Sequence, residues 1–147
     1  QLKVSLRKGI AAYNIGKNDE AVIALSFALK KDPTNWEAAS FLGQAFYKNN
    51  VFDKAIFCLK RAHDLNPALT SVFGSLGLSY FKAQKYKESL PYLKKTLDMQ
   101  PDNKEIMFSI AVAMIVAEDT KSTGSPYVTS PSLPTNIGRI LPSGLDT

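Results

Sequence analysis

The chain has 147 residues, 45% of them hydrophobic, enough for one domain to bury a full core without disulfide or metal staples. Its 18 Lys and Arg against 13 Asp and Glu leave a net charge of +5, but the cations are scattered singly and form no run, which argues against a nucleic-acid partner. The single cysteine, Cys58, rules out an internal disulfide and points to a reducing, cytoplasmic setting; the most apolar stretch, Ile106 to Ala117, is too short for the roughly 20 residues that membrane insertion requires. The chain opens on Gln1 rather than Met, as a fragment would.

From Leu2 onward the sequence repeats every 34 residues. Proline recurs at Pro33, Pro67 and Pro101, glycine at Gly9, Gly43 and Gly77, and small residues at Ala21, Ala55 and Ser89 and again at Ala28, Ala62 and Thr96. The first unit, residues 2–35, divides into two amphipathic helices at Gly16; the second, 36–69, divides at Asn50; the third, 70–103, divides at Gln84, a weaker turn residue. Pro91 falls near the start of its helix, where a missing amide donor distorts rather than breaks it. Residues 104–119 repeat a first helix only. Gly43 with Ala55, and Gly77 with Ser89, are expected at the crossing of the two helices of a unit, where axes must approach within about 8–10 Å. Leu42, Phe46, Phe52 and Leu59 fill the space around them, as do Leu76, Tyr80, Tyr86 and Leu93 one unit later.

The pattern in the second unit of Leu42, Gly43, Phe46, Ala55, Leu59, Ala62 and Pro67 closely resembles the tetratricopeptide repeat. The third unit matches with Leu76, Gly77, Tyr80, Ser89, Leu93, Thr96 and Pro101. The first keeps Gly9, Ala21, Leu25, Ala28 and Pro33 but has Lys8, Ala12 and Asn18 where the family has large apolar residues, the polar slippage of an end repeat. The resemblance implies an all-α, right-handed superhelical solenoid of antiparallel helix pairs over residues 1–121, followed by an extended, non-helical tail over 122–147. It implies a protein-binding module rather than an enzyme.

The catalytic inventory agrees with that expectation. His63 and Cys58 are five residues apart on one helix and so on different faces, His63 being read as a surface or rim residue. The acidic pairs Asp19 with Glu20 and Glu118 with Asp119 fall at turns, and no glycine-rich phosphate loop is present. No catalytic residue, metal site or cofactor is expected.

In such a solenoid the first helices line the concave face. The groove is therefore assigned to Leu6, Ile10, Tyr13 and Asn14 of the first unit, and to Phe41, Gln44, Tyr47 and Lys48 of the second. Leu78, Phe81 and Lys82 of the third unit and Phe108 and Val112 of the partial fourth complete it. Tyr13, Tyr47 and Phe81 recur at the 34-residue interval and form an aromatic ladder. Family members that clamp a chaperone's terminal carboxylate use Lys, Asn and Arg at places held here by Leu6, Ile10, Phe41, Ser71 and Ser75. The asparagine ladder of sugar-transferring enzymes is replaced by Arg7, Phe41, Ser75 and Ser109. The expected partner is thus a protein or peptide bound in extended form through apolar anchors.

The last helix is apolar nearly all round, so something must cover it. The tail that follows cannot be helical, with Pro126, Pro131 and Pro134 so close together, and offers Tyr127, Val128, Leu133, Ile137, Ile140 and Leu141 as anchors. It is expected to dock in cis or on a neighbouring molecule, either as a native tail or as a partner's peptide fused at Gly124 and Ser125. Two other roles stay open: a bacterial secretion chaperone holding a secreted partner, and the targeting domain of a larger enzyme.

Overall fold

The computed structural model describes residues 2–123, and these form seven α-helices with no strand among them. In chain order they are α1 (Leu2–Asn14), α2 (Asn18–Lys31), α3 (Trp36–Lys48), α4 (Phe52–Leu65), α5 (Phe73–Lys82), α6 (Tyr86–Met99) and α7 (Lys104–Thr123). Each helix packs on its chain neighbours. The backbones of first helices also come close to one another along the stack, whereas those of the described second helices do not. The stack is therefore tighter on the side of α1, α3, α5 and α7, which makes that side concave.

The pairs are closed by a leucine over a glycine. Leu25, Leu59 and Leu93 are fully buried and lie against Gly9, Gly43 and Gly77. The sequence pairs each glycine with the alanine or serine that opens the second helix; Ala55 and Ser89 are indeed buried, but the residue in direct contact with the glycine is the leucine one turn further on. Glycine here lets a branched side chain reach the backbone of the partner helix.

The three turns within pairs are copies of one another. Gly16, Asn50 and Gln84 all adopt left-handed backbone, with φ of 84°, 62° and 65°. The next amide in each case donates back into the first helix: Lys17 to Ala12 at 2.8 Å, Val51 to Phe46 at 2.9 Å and Lys85 to Tyr80 at 2.8 Å. This pattern satisfies carbonyls that a helix end leaves open. Beyond it, α6 continues unbroken through Pro91.

Two elements depart from strict repetition, each for a visible reason. Asn35 caps α3 by accepting the Ala38 amide at 3.0 Å, and Asn103 accepts the Ile106 amide at 3.1 Å at the head of α7. The equivalent residue before α5 is Leu69, which cannot cap and instead packs against the Ile56–Leu76 core. As a result α5 starts only at Phe73, leaving Ser71 ahead of the helix. At the other end, Glu118 stands where Gly16, Asn50 and Gln84 turn the chain, and α7 runs past it to Thr123. The helix thus outlasts the partial repeat expected to close at residue 119 and takes in Ser122 and Thr123 of the expected tail. Tyr127, Val128, Leu133, Ile137, Ile140 and Leu141 lie outside the described residues.

Candidate functional site

Every groove residue expected from the sequence lies on a first helix. Leu6, Ile10, Tyr13, Phe41, Gln44, Tyr47, Leu78, Phe81 and Val112 are half-buried; Asn14, Lys48 and Lys82 are exposed, and Phe108 is 66% exposed. The half-burial divides labour within single side chains. Leu6, Ile10, Tyr13 and Phe41 pack by one edge against the core of the first two pairs and leave the other edge to the groove.

The most organised part of the surface spans the first two pairs. The Tyr13 hydroxyl donates to Gln44 Oε1 at 3.0 Å, from α1 to α3. The Tyr13 ring meets Phe41 edge to face at a centroid distance of 5.5 Å, and Lys48 Nζ stands 5.3 Å from the centre of the same ring. One tyrosine is thereby held by a hydrogen bond, an aromatic edge and a cation. Burial raises the Tyr13 phenol above its ordinary pKa, so it remains a neutral donor.

The aromatic ladder is not uniform. Tyr47 turns onto Phe52 at 5.8 Å and Phe81 onto Tyr86 at 5.3 Å, each bracing the first residue of the second helix of its own pair. Tyr13 reaches across a pair boundary through its ring and its hydroxyl, and Tyr47 also packs on the core that holds Leu76 and Tyr80 of α5. Burial, and secondarily Glu105, raise the Tyr47 phenol too.

The third pair adds a feature absent from the sequence reading. The late start of α5 opens a cavity of about 370 Å³ lined by Ser71, Gly74, Ser75 and Leu78 on one side and by Met99, Gln100, Asn103 and Ile106 on the other. The first four residues are small or aliphatic positions of the inner face. Of the last four, Met99 closes α6, Gln100 and Asn103 lie in the loop and Ile106 is on α7, and the signal for the cavity in the sequence is the lost cap at Leu69.

Among the described residues, no group of three or more His, Cys, Asp or Glu could hold a metal, and no helix is long and apolar enough to cross a membrane. Cys58 is a buried free thiol whose pKa burial pushes up to about 11 against a smaller opposing effect of Lys54. His63, expected at the surface or rim, is half-buried with its ring 5.0 Å from that of Phe73.

The comparisons follow the geometry. The family described as Anaphase-promoting complex, cyclosome, subunit 3 matches residues 14–96, and Tetratricopeptide repeat matches residues 75–120. No curated protein matches the sequence. Among solved structures, MamA AMB-1 is 27% identical with a TM-score of 0.72 over 82% of this chain and 66% of that one. The first TPR of Spaghetti (RPAP3), bound to the HSP90 peptide SRMEEVD, is 23% identical with a TM-score of 0.68 over 80% of this chain and 94% of that one. The Arabidopsis OM64 TPR domain is 21% identical with a TM-score of 0.67 over 76% and 93%. The chain is a right-handed tetratricopeptide-repeat solenoid and belongs to the family described as Anaphase-promoting complex, cyclosome, subunit 3.

Proposed function

We propose that the concave face binds an extended, apolar or proline-containing segment of a protein partner, and that the chain serves as an adaptor or scaffold in a larger complex. The observation that carries this reading is the Tyr13–Phe41–Gln44–Lys48 cluster, a rigid aromatic platform with one amide and one ammonium at its rim. Rings give contact area at little entropic cost, and the rim groups answer the backbone carbonyls and acidic groups of an extended ligand. Phe108, together with Ile115 at 62% exposure, extends the apolar surface towards α7.

Two comparisons support the reading at the level of the fold. A structure of like fold was solved with a peptide bound, and the matching family is that of a subunit in a multi-protein complex. The ligand here differs in chemistry from the acidic SRMEEVD. Leu6, Ile10, Phe41, Ser71 and Ser75 leave no cationic clamp for a terminal carboxylate. The segment from Tyr127 to Leu141 has the required composition, and it is proposed as an occupant in cis or on a neighbouring molecule.

The test is a titration of the full chain with a synthetic Tyr127–Thr147 peptide and, separately, with SRMEEVD, followed by amide shifts in NMR. Shifts at Tyr13, Gln44 and Lys48 with the first peptide only, and weakening of about tenfold or more in Phe41→Ala and Lys48→Glu, are expected. Equal binding by these variants would sink the groove as the site. Preference for SRMEEVD would sink the apolar ligand.

A further inference from the structure

The cavity between α5 and the head of α7 is where the repeat gives up side-chain volume. Thr70, Ser75 and Asn103 of its wall stand in the 34-residue register of Trp36, Phe41 and Leu69. Two aromatic rings are thus replaced by hydroxyl groups. Leu69 packs inward on the core that it shares with Leu76, whereas Asn103 is held at the head of α7, its Oδ1 accepting the Ile106 amide at 3.1 Å. Gly74 widens the gap, since a methyl added there would meet only Thr96 of the facing helix, with Cγ2 at 3.4 Å and Oγ1 at 3.8 Å. A space of about 370 Å³ exceeds the voids that a packed interior keeps, and it opens on the inner face, where a ligand can reach it.

The walls set the chemistry of what fits. No wall residue carries a charge, so a carboxylate or an ammonium would lose its water with no partner to offset the cost. Leu78, Met99 and Ile106 supply apolar surface, and Met99, 47% exposed, offers a polarisable sulfur that packs well at the edge of an aromatic ring.

Some of the polar groups in the wall are already engaged. The Thr96 hydroxyl donates to the Tyr92 carbonyl at 2.9 Å, and Asn103 Nδ2 donates to Gln100 Oε1 at 2.7 Å. Gln100 Nε2 and the Ser71 and Ser75 hydroxyls have no partner among the described residues. An apolar body with one uncharged polar tip satisfies both parts of such a wall. The tip has to accept from the Gln100 amide, which a phenol oxygen does and an indole N–H cannot.

We infer that this cavity takes a tyrosine side chain of the bound segment, its ring among Leu78, Met99 and Ile106 and its hydroxyl at Gln100 and the two serines. The inference rests on the concave face being the binding face, and it names the ligand residue that the third pair selects. The Tyr13–Phe41 platform stands on α1 and α3, whereas the cavity belongs to α5, α6 and α7. A segment lying along the groove therefore meets two anchors on different helices, and the position of one tyrosine sets which segments fit.

The test is an NMR titration with p-cresol, the tyrosine side chain as a free molecule, of the full chain and of Tyr127→Ala, which removes the single aromatic residue beyond α7. Shifts at the Leu78, Met99 and Ile106 methyls with a roughly millimolar Kd are expected, with para-hydroxybenzoate, which adds a carboxylate to the same ring, about tenfold or more weaker. Shifts in Tyr127→Ala alone would name Tyr127 as the tyrosine and support the inference. Ser75→Phe brings in the residue of the Phe41 register and should weaken p-cresol about tenfold or more. Ser71→Phe, at an exposed position ahead of α5, fills the cavity from its rim and serves as the second variant if circular dichroism shows that the first loses helix. No shift in either chain up to roughly 20 mM, equal binding of para-hydroxybenzoate, or p-cresol binding unchanged in both filled variants would each overturn the inference. Because p-cresol reports the cavity alone, while peptide shifts at Tyr13, Gln44 and Lys48 report the groove, failure of one reading is distinct from failure of the other.

Discussion

A methyl group added to Gly43 would lie 2.6 Å from Cγ and 2.8 Å from Cδ2 of Leu59, and 3.1 Å from the Leu59 amide nitrogen. The side chain could swing away, but the backbone of α4 could not without parting the two helices. Alanine at this position gains up to about 1 kcal/mol in helix propensity and loses about 1–3 kcal/mol to overpacking, so a buried, fully packed site should show net loss.

Gly43→Ala is therefore expected to destabilise the chain by about 2 kcal/mol in urea unfolding. Gly74→Ala is the control. Its added methyl would meet Thr96 Cγ2 at 3.4 Å, an ordinary contact, so propensity decides and the chain should gain up to about 1 kcal/mol. Equal effects from the two substitutions would remove the close-approach explanation.

The left-handed turn residues give a second pair of opposite signs. Gln84 holds φ of 65°, which costs a residue with a Cβ about 1–2 kcal/mol, partly offset by the greater freedom a glycine loses on folding. Gln84→Gly should stabilise by about 0.5–1 kcal/mol. Gly16→Ala should destabilise by about 1 kcal/mol, although no atom lies within 4 Å of the added methyl, because φ of 84° and not space is the obstacle. Thermal melts of the two variants provide the check.

These turns also mark how much could be read before the structure. Gly16 and Asn50 announce left-handed backbone by residue type, and Gln84 does so only through its 34-residue register. The same register places every groove residue on a first helix, because helix pairing is a local, repeated event. Side-chain choices made across pairs are harder to read. Nothing in the spacing of Tyr13 and Gln44, 31 residues apart, distinguishes their hydrogen bond from the separate engagement of Tyr47 with Phe52. The cavity beside Ser75 depends on Leu69 giving up a cap for a place in the core, a competition between two local rules that only packing decides.

Ser79 shows the same competition left unresolved. It is fully buried on α5, its Oγ has no hydrogen-bond partner, and its equivalents Ala45 and Ala113 are fully buried alanines. A hydroxyl desolvated without a partner costs about 1–3 kcal/mol, and the alanine side chain fits the site elsewhere in the fold. Ser79→Ala should raise stability by about 1 kcal/mol with no change in groove binding. A loss of stability in urea unfolding would mean that the hydroxyl is satisfied in solution.

Cys58 makes stability depend on alkaline pH. Burial raises its folded pKa to about 11, whereas a thiol in the unfolded chain ionises near 8.5. The folded state thus favours the neutral thiol, and the unfolded state releases its proton first. The contribution is present in full below about pH 8.5 and is lost as pH climbs towards 11, where the deficit reaches about 2–3 kcal/mol. Tyr13, Tyr47 and Tyr80, also raised by burial, act in the same direction at higher pH, so the thiol is isolated by comparing the chain with Cys58→Ala. The variant should be less stable at pH 7, where it loses packing, and the gap should narrow between pH 9 and 11. At pH 8 the folded thiol should react with a disulfide reagent on the order of a hundredfold more slowly than the unfolded chain does, because only about one molecule in a thousand is thiolate. A parallel offset of the two stability curves across this range would show that Cys58 titrates alike in both states.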